Sequence, residues 1–427
     1  MLLTVSVLIV DASFLRILDL TSRTSPNYGW RLFLFVSITI FFVVAQYFTL
    51  EFINRREKKQ VVRTTSDLLN YVRRIAAFQH YILAAILVTL IVMMILTSSY
   101  FVNLLTASTS ISYGFATGMM SLLAYRFLLW FKFNRNYVVL FYAVSACLLA
   151  INSAFTMAFI DAILLEKPPQ TSPRVTTIIP IFQRGSIMDY LYSGYFLSLV
   201  AAFISMWFST ARLLKGHSKR LGKSKYWIIV SIPLVYFLSQ FLAPSVNVIG
   251  PLFASYPLLF TLIFVFSKPV GGILFGAAFW SAARSMPPSS AARNYLMISS
   301  YGVILFFVSG QISLISVPYP PFGILTLSAA GTASYLMFLG LYSTAISLAQ
   351  DQELRRSIRR LALSESKFLD TIGFAHAEHQ LQIKVANIVK DQSERMAQET
   401  GVESSLSETD IKQYLEQVLV EIKGKRQ

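Results

Sequence analysis

Nine apolar stretches, each about as long as a membrane-crossing helix, dominate this sequence. They run approximately over residues 30–50, 77–98, 108–130, 137–160, 189–211, 227–244, 250–267, 296–317 and 323–347. About 20 apolar residues cross the hydrocarbon core of a bilayer, and a helix satisfies its own backbone hydrogen bonds there. The sequence therefore predicts an all-α fold, a polytopic bundle of about nine transmembrane helices with a cytoplasmic helical tail.

Basic residues alternate between successive loops of this predicted bundle. The segments 51–76 and 212–226 are rich in Lys and Arg, whereas 99–107, 245–249 and 318–322 contain neither. Lys and Arg collect on the cytoplasmic side of membrane proteins. The pattern therefore predicts a multi-pass protein of the cell membrane, with its N-terminus outside and its C-terminus in the cytoplasm.

The composition excludes several other classes of protein. Only 14% of the residues are charged, against roughly a quarter in soluble domains. The net charge of +16 would suggest nucleic acid in a soluble protein, but in a membrane protein basic loops act on anionic lipid headgroups. We expect the lipid bilayer and its anionic headgroups as partners, and no nucleic acid. The single cysteine, Cys147, excludes a disulfide within the chain.

The chain divides into three parts on this interpretation. Residues 1–29 form an extracytoplasmic segment, 30–347 the transmembrane domain and 348–427 the cytoplasmic tail. The apolar run at the start of the chain is interrupted by Asp11 and Arg16, which favours a helix at the outer interface over a tenth span.

A second apolar segment, 268–283, is too short to cross the membrane alone. We expect it to be re-entrant or interfacial, after a seventh span over 250–267. The alternative is one long broken helix that holds Lys268 inside the membrane, where a charged residue is functional by default.

Few residues inside the predicted spans suggest a binding site. The functional candidates in and beside the spans are Lys268, Asn152, Gln240, Gln311, Gly272 and Gly276. The amides can line a small-molecule pocket, but such groups more often bond between helices. The two glycines form a small-xxx-small face, which is typical of close helix packing. Because carboxylates and histidines are lacking at membrane depth, ion-driven transport is disfavoured.

The tail carries the last two candidates, His376 and His379, in the sequence HAEH. Spaced by three residues, they share one helix face, but a closed metal site needs four ligands. We expect a polar helix face, with no metal and no cofactor. No GxSxG, HExxH or GxGxxG motif is present, so the sequence predicts a protein that is not an enzyme.

Helix-forming sequence continues directly from the ninth span into the tail. Apolar residues then follow heptad spacing at Leu354, Ile358, Leu361, Phe368, Ile372 and Ala375. This spacing predicts a short parallel coiled coil that makes a homodimer, or an amphipathic helix on the membrane surface.

A final helix is predicted after a turn near residues 400–405. Ser407 and Asp410 form a capping box. One apolar stripe follows, at Ile411, Leu415, Val418 and Ile422. The stripe must pack on the tail helix, a second copy of the chain, or a cytoplasmic protein partner.

The tail sequence resembles two groups of known proteins. The stretch SESKFLDTIGFAHAEHQLQ is similar to the entry of membrane-bound sensor histidine kinases, and FLDTIG resembles the start of their phosphorylation box. The position of the phosphorylated histidine is Phe374, however, and the rest of the tail is too short for an ATP-binding domain. The ninth span with AQDQELRRSIRR and KQYLEQVL more closely resembles uncharacterised multi-pass membrane proteins of archaea.

The leading hypothesis is a non-catalytic integral membrane sensor or adaptor. The bundle would read a ligand, lipid or membrane state and pass the signal to the tail helices. Two alternatives stand beside it: a transporter or channel for a neutral or lipid-like solute, and a structural subunit of a membrane complex.

Overall fold

A computed structural model describes residues 4–8, 10–11, 28–59, 67–97, 101–166, 185–218, 222–242, 263–264, 266–310, 321–351, 354–355 and 364–400. Within these ranges the chain is helical, with no strand. The long helices are α1 (Tyr28–Lys59), α2 (Asp67–Thr97), α3 (Val102–Phe133), α4 (Tyr137–Glu166), α5 (Ile187–Leu214), α6 (Lys223–Leu242), α7 (Ser267–Arg284), α8 (Ala291–Ser309), α9 (Ile324–Gln350) and α10 (Ser364–Thr400).

The predicted polytopic helical bundle is confirmed. Eight of the described helices, all except α7 and α10, are long and apolar enough to cross a membrane. They coincide with eight of the nine predicted spans. Most of the remaining span, 250–267, lies outside the described residues.

Helices α1 to α9 alternate in direction, so the bundle has two distinct ends. At one end the backbone N–H of Gly323 donates to Asp11 at the start of α9. At the other end Asn136, between α3 and α4, donates to Thr371 of α10. We call these the Asp11 end and the tail end of the bundle.

Helix α9 is the centre of the bundle. Every residue from Ile324 to Leu348 is buried, because α2, α3, α8 and α10 pack around it. Small residues allow this enclosure. A Cβ at Gly340 would lie 2.5 Å from the backbone nitrogen of Ser299 on α8. An apolar span enclosed on all sides is in contact with protein rather than lipid along its length.

Helix α7 differs from the expectation of a re-entrant or interfacial segment. It starts at the Asp11 end, where the hydroxyl of Ser267 donates to Gln240 near the end of α6 at 3.1 Å. It then packs along α8 and ends at the tail end, where Phe279 contacts Phe368 of α10. Its 18 residues span about 27 Å, so α7 runs from the Asp11 end to the tail end of the bundle.

The continuous helix predicted between the ninth span and the tail is interrupted. Helix α9 ends at Gln350, and Asp351 has an extended backbone, with φ of −99° and ψ of 97°. The carboxylate of Asp351 accepts a 2.8 Å hydrogen bond from the N–H of Leu354, which caps the next turn of chain. Helix α10 then folds back against the tail end of the bundle.

The described part of the N-terminal stretch packs inside the bundle. Thr4, Leu8 and Asp11 are buried. The hydroxyl of Thr4 lies 3.4 Å from that of Thr49 on α1, whereas Asp11 reaches the first turn of α9. One face of this segment therefore packs against the helices of the bundle, whereas Val10 on another face is exposed.

Candidate functional site

The first half of α10 is embedded in the tail end of the bundle. We call this contact, between residues 364–379 and the tail ends of α3, α4, α7 and α9, the tail seat. Phe368, Ile372 and Ala375 are fully buried in it, and the ring of Phe368 lies 5.4 Å from that of Tyr142 on α4. These three residues belong to the predicted coiled-coil seam, so the heptad spacing identified a buried face that contacts the same chain.

A close backbone approach fixes α10 against α9. A Cβ added at Gly373 would lie 2.6 Å from the Cβ of Leu348, so only glycine lets the two helices come this near. Next to it, the amide of Asn136 donates a 3.0 Å hydrogen bond to the hydroxyl of Thr371. The tail seat therefore combines buried apolar contacts with one specific hydrogen bond.

His376 lies at the centre of the tail seat and is only 2% exposed. Its ring packs edge-on against Tyr342 of α9 at 5.4 Å and against Trp130 of α3 at 6.4 Å. The ring of His379, on the same face, lies 5.7 Å from that of Phe133. The expected polar helix face is wrong, since both imidazoles point into aromatic surroundings.

A positive charge accompanies these histidines. The guanidinium of Arg126 on α3 lies 4.9 Å above the ring of Tyr342, the same ring that His376 contacts. Burial, and after it the positive charges of Arg126 and His379, lower the pKa of His376 to about 4. Burial and then Arg126 lower the pKa of His379. Both imidazoles are consequently neutral at pH 7, and protonation would oppose docking of α10.

The described residues contain no group of three His, Cys, Asp or Glu side chains that could hold a metal. Within the seat, the second imidazole nitrogen, Nε2 of His376, lies 3.1 Å from the amide nitrogen of Gln380.

A second polar cluster brings together three of the predicted candidates at the Asp11 end. The ammonium of Lys268 donates to the hydroxyl of Tyr195 at 2.8 Å and to the carbonyl of Gly310 at 2.9 Å. The amide of Asn152 donates to the carbonyl of Tyr195 at 2.9 Å, and Gln240 accepts from the residue before Lys268. Lys268 thus lies at the Asp11 end of the bundle, opposite the tail.

The other candidates have simpler outcomes. Gly272 and Gly276 lie against α8, where a Cβ would come within 2.7 Å of Phe307 and 2.5 Å of Ile304 respectively. The predicted close helix contact is confirmed for this pair. Gln311 lies outside the described residues.

Sequence reasoning missed the role of Asp11. Its carboxylate accepts hydrogen bonds from the N–H groups of Gly323 and Thr326, both at 3.1 Å, and from the hydroxyl of Thr326 at 2.9 Å. A carboxylate there accepts hydrogen bonds from N–H groups that have no acceptor within α9. Its negative charge also interacts favourably with the positive N-terminal end of the helix dipole. The only signal was an acidic residue interrupting an apolar run, 312 positions before its partner.

Comparisons with known proteins yielded no match to this chain, either among family models, among curated proteins or among solved structures.

Proposed function

We propose that this protein is a non-catalytic integral membrane sensor or adaptor, and that its output is the docking or release of α10 at the tail seat. One observation carries the proposal. The central helix α9 is capped by Asp11 at one end and contacts α10 through Leu348 and Gly373 at the other. A buried helix of 27 residues, about 40 Å long, joins the two ends as one rigid element.

Coupling between the two ends requires an element that can adopt two arrangements. Each end must be able to shift the equilibrium between those arrangements. A small shift of α9 along its axis would alter the hydrogen bonds at Asp11 and the 2.6 Å approach of Gly373 to Leu348 together. A ligand, a lipid or a membrane state that changes the Asp11 end would then change the fraction of chains with α10 docked.

Orientation and partners belong to the same proposal. Lys132, Arg212 and Arg284 lie in the last turns of α3, α5 and α7, at the tail end. Basic residues favour the cytoplasmic side, which supports a cytoplasmic tail that contacts anionic headgroups. Once released, α10 would offer its buried face to a cytoplasmic protein or to a second copy of the chain.

The test is hydrogen exchange of the full chain in lipid nanodiscs, with and without Asp11→Asn. The variant replaces a carboxylate acceptor by an amide whose NH2 faces a backbone donor. We expect faster exchange over residues 364–379, at the far end of the bundle. The matched control is Asp189→Asn, which changes a carboxylate that accepts from Gly185 at the start of α5. Unchanged exchange in the seat, with faster exchange at the start of α9, would refute the coupling.

A transporter or channel for a neutral or lipid-like solute is the second candidate. The Lys268 cluster favours it, because a half-buried cation with Tyr195 among α5, α7 and α8 is costly unless it serves a purpose. Solute flux into reconstituted vesicles that Lys268→Met abolishes and Lys384→Met in the tail preserves would support this function. No flux above that of empty vesicles would refute it. Stable co-purification with other membrane proteins would instead indicate a structural subunit.

A further inference from the structure

A layer of buried polar side chains lies where α1, α2 and α9 meet. Gln46 on α1 is 2% exposed, and Gln79 and His80 on α2 are 5% and 6% exposed. Nδ1 of His80 lies 3.1 Å from the side-chain oxygen of Gln46, which joins α1 to α2. The amide of Gln79 lies against α9, where a Cβ added at Gly331 would overlap with its nitrogen. We call Gln46, Gln79 and His80 the glutamine layer.

Two atoms of the glutamine layer are hydrogen-bond donors without an acceptor among the described residues. They are the side-chain amide nitrogens of Gln46 and Gln79, and both are fully buried. Polar side chains in membrane bundles commonly bond to a neighbouring helix, but these two nitrogens do not. A buried donor that is left unpaired costs free energy, so it indicates an acceptor that the described chain does not supply.

The surroundings of the layer favour a neutral ligand. Among the described residues, the buried side chains of α1, α2 and α9 include no Asp, Glu, Lys or Arg. A carboxylate or phosphate inside the bundle would need a cation beside it, and a metal ion would need an anionic ligand. The layer offers neither, whereas its two amide NH2 groups match a carbonyl oxygen, which is an acceptor only.

The lipid-facing sides of α1 and α2 begin one residue away from the layer. Tyr47 follows Gln46 on α1, and Tyr81 follows His80 on α2; both are exposed on the outside of the bundle, as is Phe78. In a helix that crosses the membrane, exposed apolar and aromatic side chains are in contact with lipid. A lipid-like molecule can therefore approach the layer from within the bilayer.

We propose that the glutamine layer binds a neutral, lipid-like molecule that carries a carbonyl oxygen, such as the ester of an acyl lipid. The amide nitrogens of Gln46 and Gln79 donate to the ligand, and His80 holds the amide of Gln46 in place. Gly331 provides the space in which the amide of Gln79 lies. Binding at this layer does not depend on the proposed sensor function, because it requires no movement of α9 or α10.

Photolabelling of the full chain tests this site. The chain is placed in nanodiscs of ether-linked lipids, which contain no competing carbonyl oxygen. The probe is methyl palmitate with a diazirine beside its ester, and the reference probe is hexadecane with a diazirine at the same distance from the chain end, which lacks the acceptor. We expect the ester to label residues 42–49 and 76–83 several-fold more than the hydrocarbon does, and excess plain methyl palmitate to remove the difference.

Two variants link this labelling to the amides. Gln46→Leu and Gln79→Leu should each reduce labelling by the ester towards that by the hydrocarbon. The matched control is Thr39→Val on the buried side of α1, since the hydroxyl of Thr39 already donates to the carbonyl of Phe35 at 2.8 Å. It should label like the wild type.

The wild-type comparison needs no variant, so a misfolded variant cannot rescue or sink the proposal. Equal labelling of the wild type by the two probes would overturn it, because the amides would then serve packing or bind water alone. Undiminished ester labelling in both leucine variants would overturn it as well. The thermal midpoint of Gln79→Leu should not fall, because an unpaired buried amide is replaced by an apolar group of similar size.

Discussion

Acid should release α10 from the tail seat, because the seat holds His376 in its neutral form. The groups around this imidazole are Arg126 from α3, Tyr342 from α9 and His379 on α10 itself. Arg126 supplies a positive charge, so a proton on His376 would place a second cation in a buried interface. The pKa of His376 lies at about 4 in the docked state, against about 6.5 for an exposed histidine.

The direction of the pH effect follows from this depressed pKa. The contribution of neutral His376 to docking is fully present above pH 6.5 and is lost as the pH falls towards 4. Full protonation weakens docking by about 3 kcal/mol, since a difference of about 2.5 pKa units converts at about 1.4 kcal/mol per unit. At about pH 5 the loss is about 2 kcal/mol, or a docking constant reduced roughly thirtyfold.

Spin-label distances measure this change in the full chain. Labels at Tyr137→Cys and Lys384→Cys, on a Cys147→Ser background, report the separation between the tail end of α4 and α10. Both native side chains are exposed, so labelling leaves the seat intact. We expect one narrow distance at about pH 7.5 and a growing broad population as the pH falls through the window between 6.5 and 4.

Two histidine variants distinguish the mechanism from general acid damage. His376→Gln removes the more deeply buried of the two titrating imidazoles and should leave only a weaker response over this window, since His379 still has a lowered pKa. His80→Gln removes a histidine of α2 that contacts Gln46, and should keep the wild-type response. A distance that does not change down to pH 5, or a His376→Gln protein that responds like wild type, would refute the reasoning.

Two further predictions concern stability. Gly373→Ala should weaken docking by about 1–3 kcal/mol, since its Cβ would meet Leu348 at 2.6 Å. The same spin-label distance should then broaden at neutral pH, whereas Gly118→Ala, with open space around it, should not change it. Asp11→Asn should lower the free energy of unfolding by about 1–2 kcal/mol and the midpoint of thermal unfolding in detergent by a few degrees. An unchanged midpoint would mean that the hydrogen bonds between Asp11 and the first turn of α9 contribute little to stability.

The helices could be predicted well from the sequence, because the length of an apolar stretch determines whether it can form a membrane-crossing helix. Eight spans and the close approach at Gly272 and Gly276 follow from local residue types, and both are present. The surroundings of Lys268 could not be predicted in this way, because its ammonium donates to the hydroxyl of Tyr195 and the carbonyl of Gly310, which lie 73 and 42 positions away in the chain.

The tail shows what the periodicity of apolar residues can and cannot predict. The spacing of Phe368, Ile372 and Ala375 correctly indicated a buried face, but a pattern cannot identify the surface that covers it. The capping of α9 by Asp11 was equally hidden, because its partner Thr326 lies 315 positions away. Contacts of this range depend on how the whole bundle packs, not on neighbouring residues.

The proposed function depends most directly on docking of α10 in the tail seat of its own chain. Asn136→Cys and Thr371→Cys, on the Cys147→Ser background, replace two side chains that form a 3.0 Å hydrogen bond across the seat. The decisive measurement is the disulfide formed by this pair under mild oxidation in nanodiscs at neutral pH. We predict rapid formation within single chains, which holds α10 in place. No disulfide, or one that forms only between chains, would contradict the docked tail on which the proposed function rests.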